Sequence, residues 1–398
     1  MSLFLNIAQR NAVLQTMAEL INTNRTAILK ANKKDMDAYH GEDIAMRDRL
    51  VVNDTKIEGM IESLVHLANQ EDPLGVERFQ FTHENGMQVS NKTAPFGTVL
   101  IIYESRPDVT IEAAGIAFKS GNKILLKGGK ESIQSNLALV KLWHHALREN
   151  QVSNEWVTYL QFDRKQTQAY LEKPDQKVDL IVPRGGERLI AFVKQHATCP
   201  VIVSGRGNNF VFVDKDADQE MALEIIINAK TTKISACNAL DKVLIDDNLP
   251  EREKFTQQLI SKLKESDVEI LVDQAVSGFE GTSKITDEAI WFEEFLDYKI
   301  VLGGVKNLEE TVAKINRYGG GHSASIITKN EEIADAFMNN VDTAAVYHNA
   351  STRFTDGGQF GLGGELAIST DKLHQRGPIG LQHLVTNKWY VKGNGQIR

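Results

Sequence analysis

The chain has 398 residues, of which 42% are hydrophobic, 25% are charged and only 8 are proline. That is the composition of a globular protein with roughly two or three domains, whose cores need no covalent staples. A net charge of -8 argues against nucleic acid as a partner, so an anionic substrate has to be met by local groups. Two cysteines, Cys199 and Cys237, exclude a disulfide framework and a CxxC metal knuckle, and no metal is expected.

The opening MSLFLNIAQRNAVLQTM mixes Asn, Gln and Arg into its apolar residues, unlike a signal peptide. No stretch approaches the roughly 18 to 20 apolar residues of a membrane span. A cytoplasmic location, with no membrane partner, is the expectation. To about residue 75, apolar residues at three-to-four spacing predict helices, as in NAVLQTMAELINTNRTAILKANKKDMDAY. A hairpin at about 80–94 should feed a buried strand at Val99 to Tyr103. RPDVTIEAAGIAFKSGNKILLKGG and VDLIVPRGGERLIAFVKQHATCPVIVSG each read as strand and helix in alternation, which implies a parallel sheet. From about 207 to 345 a second alternating set includes EMALEIIINAK, DKVLIDD and SASIIT. The tail LQHLVTNKWYVKGNGQIR reads as a terminal strand, which an exposed edge would make a liability; pairing with the hairpin of another subunit is expected.

Neither standard phosphate loop occurs, since GRGNNF lacks the third glycine of a dinucleotide fingerprint. Pro183, Arg184, Gly185 and Gly186 stand between a strand and an amphipathic helix, where free N–H groups suit a pyrophosphate, unless this is a plain turn. Two glycines bracketed by Lys127 and Lys130 end another strand, with the same two readings. Cys237 sits among polar and cationic residues at the mouth of a strand, which suits a thiolate nucleophile or a small turn residue; Lys230 and Lys233 would favour the thiolate. Cys199 precedes an apolar run and reads as a packed thiol. In VYHNASTRFTDGGQFGLGGELAIST, Asn349, Ser351, Thr352 and Arg353 cluster in a glycine-dense loop, where the arginine fork suits a carboxylate or phosphate.

The segments YESRPDVTIEAAG, SGNKILLKGG, PRGG, NAKTTKISACNAL, NRYGGGHSASIIT and the long glycine-rich loop together resemble the gamma-glutamyl phosphate reductase family, a branch of the aldehyde dehydrogenase superfamily. The resemblance runs from about residue 5 to the C-terminus. It implies an aldehyde dehydrogenase-like α/β fold: an NADP-binding domain at 1–206, a catalytic domain at 207–366, and a C-terminal return and oligomerisation strand at 367–398, with the hairpin in the oligomerisation element. It also implies reduction of L-glutamyl 5-phosphate by NADPH to L-glutamate 5-semialdehyde with release of phosphate, the second step of proline synthesis from glutamate.

The same resemblance makes Cys237 the nucleophile, with its backbone N–H and the side chain of Asn238 as oxyanion donors. It gives Glu294 to the nicotinamide ribose and Lys127 to the adenosine ribose. Lys130 stands where NAD-dependent relatives often carry a glutamate, so a cation here suits a 2′-phosphate and NADPH. Ser204 stands where hydrolytic aldehyde dehydrogenases carry the glutamate that activates water. Arg106 would meet the leaving phosphate, or pair with Glu104 or Asp108; His322 lines the site or is structural. Asp108 and Asp241 depart from the usual Asn and Glu of the family. A homo-oligomer and a functional association with glutamate 5-kinase, the source of a labile substrate, follow as partners. An aldehyde dehydrogenase acting on another acyl group, or a non-catalytic scaffold, would lack a reason for this loop together with Cys237.

Overall fold

The computed structural model describes residues 5–398, the side chains of 44 and 45 excepted, so the first four residues of the opening stretch lie outside it. The chain forms two compact units. The first runs to Val203 and takes in Gly361–Ala367 and Ile379–Arg398; the second is Ser204–Phe360 with Ile368–Pro378. The expected boundary at 206 therefore lies at Val203, and residues 368–378 stay with the second unit, not with the C-terminal return.

In the first unit the N-terminal helices start where the sequence supplies caps. Asn6 accepts from the Gln9 N–H while the Gln9 side chain accepts from the Asn6 N–H, a reciprocal cap that opens helix Ile7–Thr23. That helix buries Val13, Leu14, Met17 and Ile21, one stripe at helical spacing. Four parallel strands then form a sheet in the order Val157–Tyr159, Lys123–Lys127, Thr98–Tyr103, Leu180–Arg184. Alternation sends Val99, Ile101 and Tyr103 into one core and Leu100 and Ile102 into another, so both faces are covered. Thr98–Tyr103, Lys123–Lys127 and Val157–Tyr159, in that chain order, progress outward in one direction, and Leu180–Arg184 then crosses to the other side of Thr98–Tyr103. This reversal creates a crevice beyond the carboxyl ends of Thr98–Tyr103 and Leu180–Arg184, the usual ligand position in open α/β sheets. The strand expected in VIVSG is reduced to two isolated bridges, Val201 with Ile181 and Ser204 with Ser369.

The hairpin is Glu77–Thr82 with Gln88–Pro95, and the terminal strand Val385–Lys392 pairs antiparallel with Gln88–Pro95 of its own chain, from Val385 opposite Pro95 to Lys392 opposite Gln88. Pairing with the hairpin of another subunit is thus corrected: the terminal strand takes the hairpin of its own chain along one side, and its other side is the edge of the three-stranded sheet.

The second unit holds a seven-stranded parallel sheet in which Asn209–Val213, Leu240–Asp246, Lys299–Val305 and Ser323–Ile327 are central. Phe210 and Phe212 enter one core, Val211 and Val213 the other. At about 1.5–3 kcal/mol for each large apolar side chain fully buried, such strands dominate the stability of the unit.

Candidate active site

Cys237 lies in the turn between helix Gln219–Thr231 and strand Leu240–Asp246. The turn is held from all sides by groups that sequence reading did not single out. The Asn209 amide donates to Cys237 O at 2.8 Å and to Ala239 O at 2.7 Å. A Cβ on Gly207 would stand 1.9 Å from Cys237 O, so only glycine lets the two backbones approach. The incomplete GRGNNF motif is therefore a support for the cysteine turn; its signal was two glycines and two asparagines just ahead of a strand.

The expected oxyanion role of the Asn238 side chain is corrected. Its amide donates to Arg353 O at 3.1 Å and Thr355 O at 3.0 Å, which uses both hydrogens, so it pins the glycine-rich loop to the cysteine turn. The thiolate-favouring role of Lys230 is corrected too: it is fully buried and paired with Asp241 at 3.2 Å.

Three of the four expected substrate contacts in the loop are spent on scaffolding. Asn349, at φ +53°, accepts from Thr328 N and donates to Thr328 O, closing the end of strand Ser323–Ile327; the left-handed backbone suits an asparagine. The Ser351 hydroxyl donates to Asn228 Oδ1 at 2.8 Å, and the Thr352 hydroxyl to Asn238 O at 2.8 Å. These three expectations are corrected because each short side chain meets a nearer protein partner, backbone for Asn349 and Thr352 and the Asn228 side chain for Ser351. Arg353 differs: its Nε and Nη1 are buried without a hydrogen-bond partner, burial lowers its pKa, and attraction to Cys237, then Asp356, opposes that shift. Two buried donors without a partner, on a side chain that the Cys237 thiolate attracts, suit an anion.

His322 is buried and burial alone pushes it down to about 4, so it is neutral; its Nδ1 lies 2.8 Å from the Ser323 hydroxyl. The Ser323 and Tyr347 hydroxyls both meet Thr355 Oγ1 at 2.6 Å, so this chain of hydroxyls backs the loop. The Ser204 hydroxyl is buried and unpartnered, and its backbone bridges Ser369. Glu294 lies in an irregular segment of the second unit, half-buried.

The remaining expected residues belong to the first unit, at or just beyond the carboxyl ends of strands Thr98–Tyr103, Lys123–Lys127 and Leu180–Arg184. Pro183 and Arg184 end strand Leu180–Arg184, and Gly186 caps helix Glu187–His196 with no side-chain capping hydrogen bond. Gly185 is required by a close approach, since a Cβ there would stand 2.5 Å from the Glu104 carboxyl carbon. Arg106 forms an ion pair with Asp108 at 3.1 Å, one of the two pairings foreseen. Lys127 donates to Gly128 O and its pKa is lowered by burial, against attraction from Glu131 and Asp163. Lys130 lines an open cavity of about 690 Å³ with Lys34, Tyr39, His40 and Glu131. Cys199 is half-buried, and burial, then Asp179, pushes its thiol up, which makes it a poor nucleophile. Among the described residues no cluster of His, Cys, Asp and Glu is fit to hold a metal, and no helix is long and apolar enough to cross a membrane.

The aldehyde dehydrogenase family model matches residues 4–277, and the chain belongs to that family of oxidoreductases, which work with a nicotinamide cofactor. Glyceraldehyde-3-phosphate dehydrogenase from Methanocaldococcus jannaschii, solved with NADP, shares the fold with a TM-score of 0.68 at 15% identity, over 98% of this chain and 90% of that one. A gamma-glutamyl phosphate reductase of Clostridium botulinum is 40% identical over 98% of this chain and 94% of its own length. The crystal structure of gamma-glutamyl phosphate reductase from Thermotoga maritima matches with a TM-score of 0.94 at 37% identity, over 99% of this chain and 95% of that one. Within the aldehyde dehydrogenases, the chain belongs to the gamma-glutamyl phosphate reductase family.

Proposed function

We propose that this enzyme reduces L-glutamyl 5-phosphate to L-glutamate 5-semialdehyde with NADPH, releasing phosphate, as the second step of proline synthesis from glutamate. The observation that supports this reading is Arg353, whose two buried nitrogens have no hydrogen-bond partner and which the Cys237 thiolate attracts, while the neighbouring polar side chains are committed to scaffold.

The Cys237 thiolate attacks the acyl carbon, the bond from carbon to the phosphate oxygen breaks, and the acyl group is held as a thioester. The Cys237 N–H faces the developing oxyanion, and Arg353 receives the departing phosphate, which takes up one proton. Bound NADPH supplies the hydride for the second half-reaction. The carbon–sulfur bond then breaks, which frees the aldehyde and restores the thiolate. Ser204 offers no carboxylate to activate water, so the thioester survives until it is reduced. Lys127, Lys130 and the Gly185–Gly186 turn would hold the adenosine and pyrophosphate, and Glu294 the nicotinamide ribose; the crevice, the uncapped helix and the desolvated Lys127 fit such a ligand. The three-stranded sheet exposes Phe79, Phe81, Trp389, Tyr390 and Val391, which supports assembly with further copies of the chain. Supply of a labile acyl phosphate favours a functional association with glutamate 5-kinase in the cytoplasm.

The reverse reaction tests the assignment with stable reagents. Glutamate semialdehyde and NADP+ should give NADPH only when phosphate is present, stalling after at most one turnover per site without it. General-base assistance is typically worth about 10²- to 10⁴-fold, so Ser204→Glu should add a slow phosphate-independent rate. Steady oxidation by the wild type without phosphate would overturn the reading.

A further inference from the structure

Four backbone groups around Glu294 are captured by side chains from elsewhere in the second unit. Asn208 donates to Trp291 O at 2.7 Å, Arg206 to Phe292 O at 3.1 Å and Lys242 to Glu293 O at 2.8 Å, while the Phe295 N–H donates to Asp241 at 3.3 Å. The Lys242 ammonium also stands 3.9 Å from the centre of the Phe295 ring. Neighbouring strand residues ordinarily point to opposite faces. Here the register slips at Asp241, with Leu240 opposite Asn209 and then Lys242 opposite Phe210, and this bulge turns both side chains to one segment.

Lys230, from the last turn of the helix before the cysteine, closes the set on Asp241, and all three side chains are almost wholly buried. Burying three charges is costly unless they are paired and hydrogen-bonded, and here each is, with the backbone of Glu293 and Phe295 among the partners. Burial brings the Lys242 ammonium down to about 7, with Asp241, Glu293 and Glu294 pulling the other way. Leu296, next after Phe295, sits at φ +50°, a strained backbone for a leucine that persists only where its surroundings impose it.

We infer that Asp241 and Lys242, closed by Lys230, are positioning residues for Glu294: they fix the backbone on both sides of it and so present its carboxylate to the nicotinamide ribose. This rests on the role given to Glu294 above. The strand that leaves Cys237 thereby carries both the nucleophile turn and the anchor of the cofactor contact.

The test is a double-variant cycle on the full enzyme. Lys242→Met leaves Lys230 and Asp241 as a neutral pair. It should weaken NADPH, read both as KM and as direct binding, by about tenfold, with kcat reduced and the rate of Cys237 alkylation unchanged. Glu294→Gln should give a similar loss, and the double variant should be no worse than the poorer single one. Losses that multiply in the double variant overturn the positioning role, as does a Lys242→Met enzyme that is less stable with its NADPH parameters unmoved. If Glu294→Gln alone changes nothing, the ribose role of Glu294 falls and this inference with it. Should Lys242→Met fail to fold, Phe295→Leu removes the ring under the ammonium without adding a charge, and the same cycle applies.

Discussion

Cys237 and Cys199 show how placement separates two chemically identical side chains. The first lies in a turn beside an arginine with donors to spare; the second is half-buried against apolar neighbours that raise its pKa. Cys237→Ser should therefore lower phosphate-dependent NADP+ reduction by about 10³-fold or more while leaving the melting temperature and 2′,5′-ADP binding in place, because the covalent step is lost and the scaffold is not. Cys199→Ser should keep most turnover in the same assay. His322 gives a pH test with a definite sign. Burial holds it near 4 in the folded chain against 6.5 ordinarily, so between those values the unfolded chain carries a proton there that the folded one does not. Stability from this group is complete above pH 6.5 and is lost as the pH falls toward 4, at about 1.4 kcal/mol for each pH unit. Urea titrations at pH 7 and 4.5 should show that slope, and His322→Asn should flatten it.

Elements matter here chiefly through their ends. The segment before strand Asn209–Val213 touches the cysteine turn through Gly207, and the contact leaves no room for one carbon. Gly207→Ala should displace the turn, reducing kcat by about 10²-fold, as misplacement by about 1 Å typically does, with a loss of stability seen in thermal unfolding. At the end of strand Lys123–Lys127, the Gly128–Gly129 turn delivers Lys130 to the cavity lined by Lys34 and His40. Replacing that cation by a carboxylate sets like charges against a 2′-phosphate while offering an acceptor to a ribose hydroxyl. Lys130→Glu should thus narrow or reverse the ratio of kcat/KM for NADPH over NADH; an unchanged ratio would remove Lys130 from cofactor choice.

For the molecule as a whole, the three-stranded sheet combines the hairpin with the terminal strand and leaves an aromatic row in water. Phe79 and Trp389 meet edge to face at 5.9 Å, and both are about half exposed. If that face joins copies of the chain, Trp389→Glu should shift the particle mass toward the monomer in light scattering while Cys237 stays reactive toward alkylation. A wild-type monomer at all concentrations would remove the assembly.

Sequence alone determined the class of fold, because alternation of apolar runs with amphipathic helices is a local pattern that parallel sheets impose. It also singled out Cys237, Arg353 and the PRGG turn as candidates, whose residue types suit the proposed chemistry. The terminal strand was legible as a strand, yet its partner was not, since edge pairing depends on which edge arrives. Only the tertiary structure separated Arg353 from Asn349, Ser351 and Thr352, which look equally polar in the chain; three of them are spent on the scaffold and one is not. It likewise took the bulge at Asp241 to bring adjacent charges onto the segment of Glu294, and the close approach at Gly207 to explain a glycine. The physical reason is the same throughout: a sequence shows what a side chain can bond, whereas only the folded chain decides which of its bonds are already taken.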